Sequence, residues 1–313
     1  MKNKSMDLKI LSANYKIEEQ ISNGLFIGSR KTDNRKVMIK KAKHKNHGYL
    51  ESFERFSQIH HHSIANTLEL INDSGDLYVV REYHQGTSLK TILDTRSIYH
   101  KVSERFFIQL TIELLKTVDL LHQSNVLHLD LKPANIIIKH KESETPSEWK
   151  PENILLIDFE QSLCFPVEKG LRNRFTLIYS PPEQLLNRLH LLKPSSDISA
   201  IGILLYEMIA GSAPYCDCNP EMLLHLQLTY PIKKRPTMRD EFFEIIHKAS
   251  YKSPFPKPPR MLDYDTIDDI LSKGINERYQ SCGEMITALN NYLELIKDYD
   301  PSWWHKMLRR LGF

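Results

Sequence analysis

Residues 126–138 read VLHLDLKPANIII, and a polar stretch at 139–153 separates them from a second apolar run that ends in Asp158. Both apolar runs are short and β-branched, so they predict two buried strands joined as a hairpin. Antiparallel pairing brings Asn135, just before the first strand, to the same end of the hairpin as Asp158. With Asp130 in the preceding loop, three oxygen-bearing side chains converge at one edge, where they suit Mg²⁺ that also holds phosphate oxygens.

Each of these residues alone would be an ordinary turn former, but together they make a more specific pattern. The spacing His-x-Asp-x-Lys-x-x-Asn followed by Asp-Phe resembles the catalytic loop and metal-binding segment of the eukaryotic-like, bacterial-type serine/threonine protein kinases. The resemblance implies an α+β fold of two lobes, a small β-rich N-lobe and a larger helical C-lobe. It also implies ATP and Mg²⁺ as bound groups and a protein substrate with a serine or threonine acceptor.

By this resemblance each polar residue of the segment has a role. Asp130 would orient the acceptor hydroxyl, Lys132 would stabilise the transferring phosphoryl group, and Asn135 with Asp158 would hold Mg²⁺. A lysine two positions after the catalytic aspartate is the serine/threonine form of the loop, and tyrosine kinases resemble it less there.

Two residues in this region depart from the family pattern. Leu129 replaces the arginine that would gather a phosphorylated activation loop, so we expect activity that does not depend on phosphorylation within residues 159–180. Glu160 replaces the glycine after Asp-Phe, which removes backbone freedom and adds a negative charge near the metal-binding residues.

The composition describes an ordinary globular protein of 313 residues, 41% hydrophobic and 26% charged. A formal net charge of +3 is too small to imply a nucleic-acid partner. The four cysteines have no C-x-x-C spacing, and we interpret them as reduced thiols of a cytoplasmic protein. The N-terminus lacks an apolar run of signal-peptide length.

The N-terminal part predicts two or three antiparallel strands between Tyr15 and Ile39. A candidate phosphate flap lies in this region and retains only the middle glycine of the family pattern; its residues are Ile21, Ser22, Asn23 and Gly24. Ser22 and Ile27 stand at the other two glycine positions, and a side chain there should make a poorer cradle for phosphate. Lys40 follows Val37-Met38-Ile39 and resembles the strand lysine that pairs with the α and β phosphates.

In the kinase family a helix glutamate holds this lysine. The predicted helix at residues 49–59 places Ser52 at that position, while Glu51 is one residue, about 100°, away. Glu51 is therefore the candidate partner of Lys40 only if the helix is shifted.

Residues 77–84 resemble the strand and hinge that bind adenine through main-chain groups. Glu82 and Tyr83 form the candidate hinge, and Arg81 stands at the back of the adenine pocket. A cation in a partly buried site needs a carboxylate partner, so we expect Arg81 to pair with Glu51 or Asp158 in one state.

The later motifs resemble the activation segment and large lobe of the kinases. Ser180-Pro181-Pro182-Glu183 resembles the end of that segment. Thr176 stands at the position of the threonine that contacts the catalytic aspartate and lysine in the family. Asp197 heads an apolar helix whose aspartate holds the catalytic-loop backbone in the family. Arg278 matches the arginine that pairs with Glu183, which predicts a buried ion pair.

These motifs give four segments: an N-terminal extension at 1–12, an N-lobe at 13–85, a C-lobe at 86–298 and an aromatic, basic tail at 299–313. Within the tail, the stretch from Trp303 to Leu311 could lie on a membrane, but packing against the large lobe is the favoured interpretation.

Two other functions stay open at this point. A pseudokinase that binds nucleotide or acts as a scaffold would explain the thin phosphate flap and the displaced glutamate. A small-molecule phosphotransferase shares the metal-binding residues but generally lacks the Glu183 and Arg278 pair. The sequence leaves the oligomeric state open.

Overall fold

The computed structural model describes residues 9–42, 47–73, 75–167 and 175–297. They form a small lobe around a five-stranded antiparallel sheet and a larger helical lobe, which confirms the predicted α+β architecture. The stretch at 303–311, for which the sequence favours packing against the large lobe over membrane contact, lies outside these ranges, and the four segment boundaries stay predictions. None of the helices within the described ranges is long and apolar enough to cross a membrane.

The sheet of the small lobe has the strand order β1-β2-β3-β5-β4. Its strands are β1 (Tyr15–Ser22), β2 (Leu25–Arg30), β3 (Lys36–Lys41), β4 (Thr67–Asp73) and β5 (Asp76–Glu82). Helix α1 (Lys9–Asn14) packs the fully buried Leu11 into the core of this lobe. The amides of Ile10 and Leu11 each donate to the Asp73 carboxylate at 2.9 Å, which joins α1 to the end of β4. Helix α2 (His47–Phe56) follows β3.

The remaining strands lie where the two lobes meet. They are β6 (Gly86–Ser88), β7 (Val126–Leu127), β8 (Ile136–Lys139), β9 (Ile154–Leu156) and β10 (Leu163–Cys164). Strands β8 and β9 pair antiparallel with Ile136 opposite Leu156, so the predicted hairpin is confirmed. The connection between them contains two 3-10 turns and buries Trp149, which stacks on His140.

The large lobe is built from helices around one apolar core. Its helices are α3 (Leu89–Asp94), α4 (Arg96–Tyr99), α5 (Glu104–Gln123), α6 (Pro182–Leu185), α7 (Pro194–Ala210), α8 (Pro220–Thr229), α9 (Asp240–Ala249), α10 (Tyr264–Glu277) and α11 (Cys282–Leu295). Helix α7 is buried along most of its length and packs between α5 and α9. Leu131 of the loop at 128–135 packs into this core.

Candidate active site

The catalytic-loop candidate Asp130 is 4% exposed, and its carboxylate accepts three side-chain hydrogen bonds. Lys132 Nζ donates at 2.6 Å, Thr176 Oγ1 at 2.6 Å and Asn135 Nδ2 at 3.0 Å. Lys132 Nζ also donates to Thr176 Oγ1 at 3.2 Å, so the predicted contacts of Thr176 with both residues are confirmed. A carboxylate, an ammonium and a hydroxyl thus lie within hydrogen-bonding distance of one another.

The β8–β9 hairpin brings Asn135 and Asp158 together as its antiparallel register requires. Ile157 N donates to Asn135 O at 3.0 Å, and Asp158 is the next residue. Asn135 uses its amide nitrogen on Asp130, so its Oδ1 oxygen is the end of the amide that remains for a cation. The donors at this end of the hairpin are the Asp158 carboxylate and the Asn135 amide oxygen, which fit Mg²⁺ with phosphate oxygens completing the coordination.

Asp158 has a backbone φ of 70°, in the left-handed region, and its carboxylate contacts Lys40 of the small lobe. Lys40 Nζ lies 2.6 Å from Asp158 Oδ1, with the two side chains 20% and 18% exposed. Burial opposes ionisation of Asp158, but Lys40, Arg81 and Lys132 outweigh it and lower the pKa of that carboxyl. Asp158 therefore holds a negative charge at neutral pH, which is the form that could bind a cation.

Lys40 has a second carboxylate partner that the sequence motifs do not predict. Glu160 Oε1 lies 3.0 Å from Lys40 Nζ, and the Glu160 side chain is 15% exposed. Burial disfavours the charged amine, but Asp158 and Glu160 more than compensate and raise the pKa of Lys40. The signal in the sequence is a paired change, because a serine replaces the helix glutamate while a new glutamate follows Asp-Phe.

Glu51 does not reach Lys40. Its side chain is 58% exposed and accepts a hydrogen bond from Arg55, one turn further along α2, at 3.3 Å. Ser52 instead occupies the inner face, fully buried, and its Oγ is 3.8 Å from Cys164 Sγ. The expected Glu51–Lys40 pair is therefore not formed in the described structure, because the helix presents Ser52 inward and Glu51 to solvent.

The phosphate-flap candidates form a tight hairpin. Pairing continues to Ser22 opposite Leu25, so the turn consists of Asn23 and Gly24 alone, with Gly24 at φ 79°. Gly24 O accepts from Lys41 N at 2.6 Å, which holds the turn beside the strand that carries Lys40. Ile21 is 48% exposed. The structure thus places Ile21 and Ser22 at the end of β1 and Asn23 and Gly24 in the turn to β2.

Arg81 lies in the cavity behind the hinge with Lys40, Asp158 and Glu160 around it. Burial lowers the pKa of Arg81, and the nearby carboxylates of Asp158 and Glu160 oppose that shift. Among the described residues Arg81 forms no ion pair with either expected partner, Glu51 or Asp158; it shares the cavity with the carboxylates of Asp158 and Glu160.

The hinge candidates connect the two lobes. Glu82 N donates to Asn66 O and Tyr83 N donates to Lys36 O, each at 3.2 Å. The Glu82 carboxylate pairs with Arg35, and Lys36 Nζ lies 4.6 Å from the centre of the Tyr83 ring. The side chains of Glu82 and Tyr83 are therefore engaged with β3 and its preceding turn.

The catalytic loop is held from beneath by Asp197. Its carboxylate accepts from His128 N and Leu129 N, both at 2.9 Å, and His122 Nε2 lies 2.9 Å away. These contacts fix Leu129 at φ 61°, an uncommon backbone conformation for a branched side chain. Burial opposes the charge on Asp197, but His122, His128 and the backbone N–H of Leu129 lower the pKa of Asp197.

Comparison with known proteins agrees with this geometry. The protein kinase domain family matches residues 22–282, and the chain belongs to this family. The chain is 26% identical to serine/threonine-protein kinase PknD of Protochlamydia amoebophila over 94% of its length and 31% of that protein. It is 28% identical to serine/threonine-protein kinase PrkC of Bacillus subtilis over 68% of its length and 31% of that protein.

The fold likeness extends to a solved structure. The PK-1 kinase of Cydia pomonella granulovirus superposes with a TM-score of 0.63 and 16% identity, over 88% of this chain and 94% of that one. The chain spans about a third of the length of the two bacterial relatives, PknD and PrkC.

Proposed function

We propose that this chain is an ATP-dependent serine/threonine protein kinase. The observation that carries the proposal is the hydrogen-bonded cluster of Asp130, Lys132 and Thr176, which adjoins the carboxylate of Asp158 and the ammonium of Lys40. Phosphoryl transfer depends on positioning and on neutralising charge, and this cluster supplies groups for both.

Asp130 is the residue that would orient the acceptor hydroxyl. Its carboxylate accepts hydrogen bonds already, so it can orient a serine or threonine O–H and take the proton as the oxygen attacks. Lys132 lies 2.6 Å from that carboxylate and can follow the developing charge on the phosphoryl oxygens. Lys40 would bind the remaining phosphates, and the hinge at Glu82 and Tyr83 would bind the adenine.

Asn135 and Asp158 are the proposed Mg²⁺ ligands. When bound, the ion would neutralise phosphate oxygens and fix their orientation. We place the activity in the cytoplasm, because ATP is available there and the cysteines of the chain are unpaired thiols.

The buried Glu183–Arg278 pair supports a protein kinase over a small-molecule phosphotransferase, which generally lacks it. A pseudokinase would keep the same fold without transferring phosphate, so a direct transfer assay is needed to separate these functions.

The test is transfer of label from radiolabelled ATP with Mg²⁺ to a generic serine/threonine acceptor protein. Asp130→Asn should lower the rate by about 100-fold or more. Asp158→Ala should abolish the Mg²⁺-dependent rate, and Asp265→Asn, at an exposed aspartate of α10, should leave it unchanged. Label that persists in both active-site variants would refute the enzyme, and Mg²⁺-independent ATP binding without transfer would indicate a pseudokinase.

A further inference from the structure

The residue after Asp158-Phe159 changes how the site lysine is held. We propose that Glu160 is the positioning residue of Lys40, in place of the helix glutamate that kinases use; the inference rests on the kinase function proposed above. Glu160 Oε1 is 3.0 Å from Lys40 Nζ, and both side chains are largely buried. The alternative carboxylate on α2, Glu51, faces solvent and pairs with Arg55.

Lys40 needs a second carboxylate because Asp158 is also a proposed Mg²⁺ ligand. Lys40 and Asp158 are paired at 2.6 Å, but a carboxylate that also binds a divalent cation shares its charge between two partners. Glu160 gives Lys40 a carboxylate that has no part in the proposed metal site. The ion pair with Glu160 thus holds the Lys40 ammonium in position while Asp158 binds the cation.

The charge balance of the cavity points the same way. Lys40 and Arg81 are cations in a small, partly buried space whose acidic residues are Asp158 and Glu160. Two cations facing two carboxylates are balanced, whereas removal of Glu160 would leave two cations sharing one carboxylate. Buried charges that lose a partner are strongly destabilising.

Glu160 is held in a fixed position. Phe159 is 5% exposed and packs on His128 with 5.0 Å between ring centres. Ser162 N donates to Phe159 O at 3.1 Å, which closes a turn over Glu160. The backbone around Glu160 is therefore constrained on both sides, which keeps the base of this side chain beside Lys40.

The first test needs no catalytic activity. Glu160→Gln should lower the midpoint of thermal unfolding by roughly 3 °C or more, because it leaves Lys40 and Arg81 with one carboxylate. In a Lys40→Met background the same substitution should lose at least about half of that effect, since the two residues act as a pair. Glu51→Gln is the matched control and should shift neither background.

The second test is kinetic. Glu160→Gln should lower kcat at saturating ATP by about tenfold or more, and Glu160→Asp, which keeps the charge, should recover part of it. Glu160→Gln with the kcat of the unmodified protein, or an equal thermal shift in both backgrounds, would overturn the proposal. If the unmodified protein transfers no phosphate, the proposed function fails, and the thermal comparison still decides whether Glu160 anchors Lys40.

Discussion

Arg278 and Glu183 form a bidentate ion pair although they lie 95 positions apart in the chain, with Nη1–Oε1 at 2.6 Å and Nη2–Oε2 at 3.0 Å. The side chains are 1% and 0% exposed, and Ser196 Oγ donates to the same Glu183 carboxylate at 2.8 Å. The predicted buried pair is confirmed, and it joins the end of the activation segment to the segment between α10 and α11.

Arg278→Met should destabilise the protein by about 3 to 5 kcal/mol, because it leaves the Glu183 carboxylate buried without its partner. Chemical denaturation measures the change in the free energy of unfolding. The control is Lys116→Met, which removes an exposed partner of Glu113 and should cost no more than about 0.5 kcal/mol. Equal losses in the two variants would show that burial does not set the value of the Arg278 pair.

Asp197→Asn should destabilise the protein by about 2 to 4 kcal/mol, because an amide cannot replace a carboxylate that serves His122 and two backbone amides. It should also lower kcat, since Leu129 at φ 61° would lose the contact that holds the catalytic loop. Denaturation and the transfer assay measure the two effects.

The matched control for Asp197 is Ser195→Ala in the same helical turn. Ser195 Oγ is buried without a hydrogen-bond partner among the described residues. Ser195→Ala should therefore change the free energy of unfolding by no more than about 1 kcal/mol. An Asp197→Asn protein with unchanged kcat would contradict the proposed support of the catalytic loop.

Complete dephosphorylation of the protein should change its rate of phosphate transfer by no more than roughly twofold. The hydroxyl residues of 159–180 are Ser162, Thr176, Tyr179 and Ser180. Ser162 and Ser180 are buried, Thr176 bonds Asp130, and Tyr179 OH donates to Glu207 at 2.9 Å.

Apolar side chains surround Leu129, which stands where the family has the arginine that gathers a phosphorylated loop. Leu129 is 4% exposed and packs in one cluster with Leu127 of β7 and with residues that follow the Asp-Phe motif or precede α7; these are Leu163, Val167, Leu189 and Leu192. Phosphatase treatment verified by intact mass, followed by the transfer assay, checks the prediction. A large loss of rate that ATP preincubation restores would show that phosphorylation activates the protein after all.

Stability should rise with pH above neutrality through Lys252. Burial, with a further contribution from Arg278, lowers the pKa of Lys252 to about 7. Its Nζ donates to Tyr215 OH at 2.9 Å and to Gln227 O. An unfolded lysine has a pKa near 10.4, so between these values the unfolded state binds more protons and a rise in pH favours folding.

Lys252→Met removes this dependence. The unmodified protein should gain roughly 1 kcal/mol or more relative to the variant between pH 7 and pH 9. Denaturation at both pH values measures it, with Lys257→Met as the exposed control. A difference between the unmodified protein and Lys252→Met that does not change with pH would mean that Lys252 stays charged in the folded state.

The sequence by itself determined the parts of the site that depend on local spacing. The residues from Asp130 to Asn135 lie within one short loop, and a hairpin must bring Asn135 next to Asp158 because strand pairing is periodic. Resemblance to the kinase pattern extended this to Lys40, Thr176 and the Glu183–Arg278 pair.

Only the tertiary structure decided which carboxylate holds Lys40. The choice between Glu51 and Glu160 depends on the rotation of α2 and on the turn after Phe159, and neither follows from local propensity. One residue of helix rotation, about 100°, directs Glu51 to solvent and Ser52 inward. Because ion pairs form wherever folding brings charges within a few ångströms, a glutamate 120 positions from Lys40 took the place that the motif assigns to the helix.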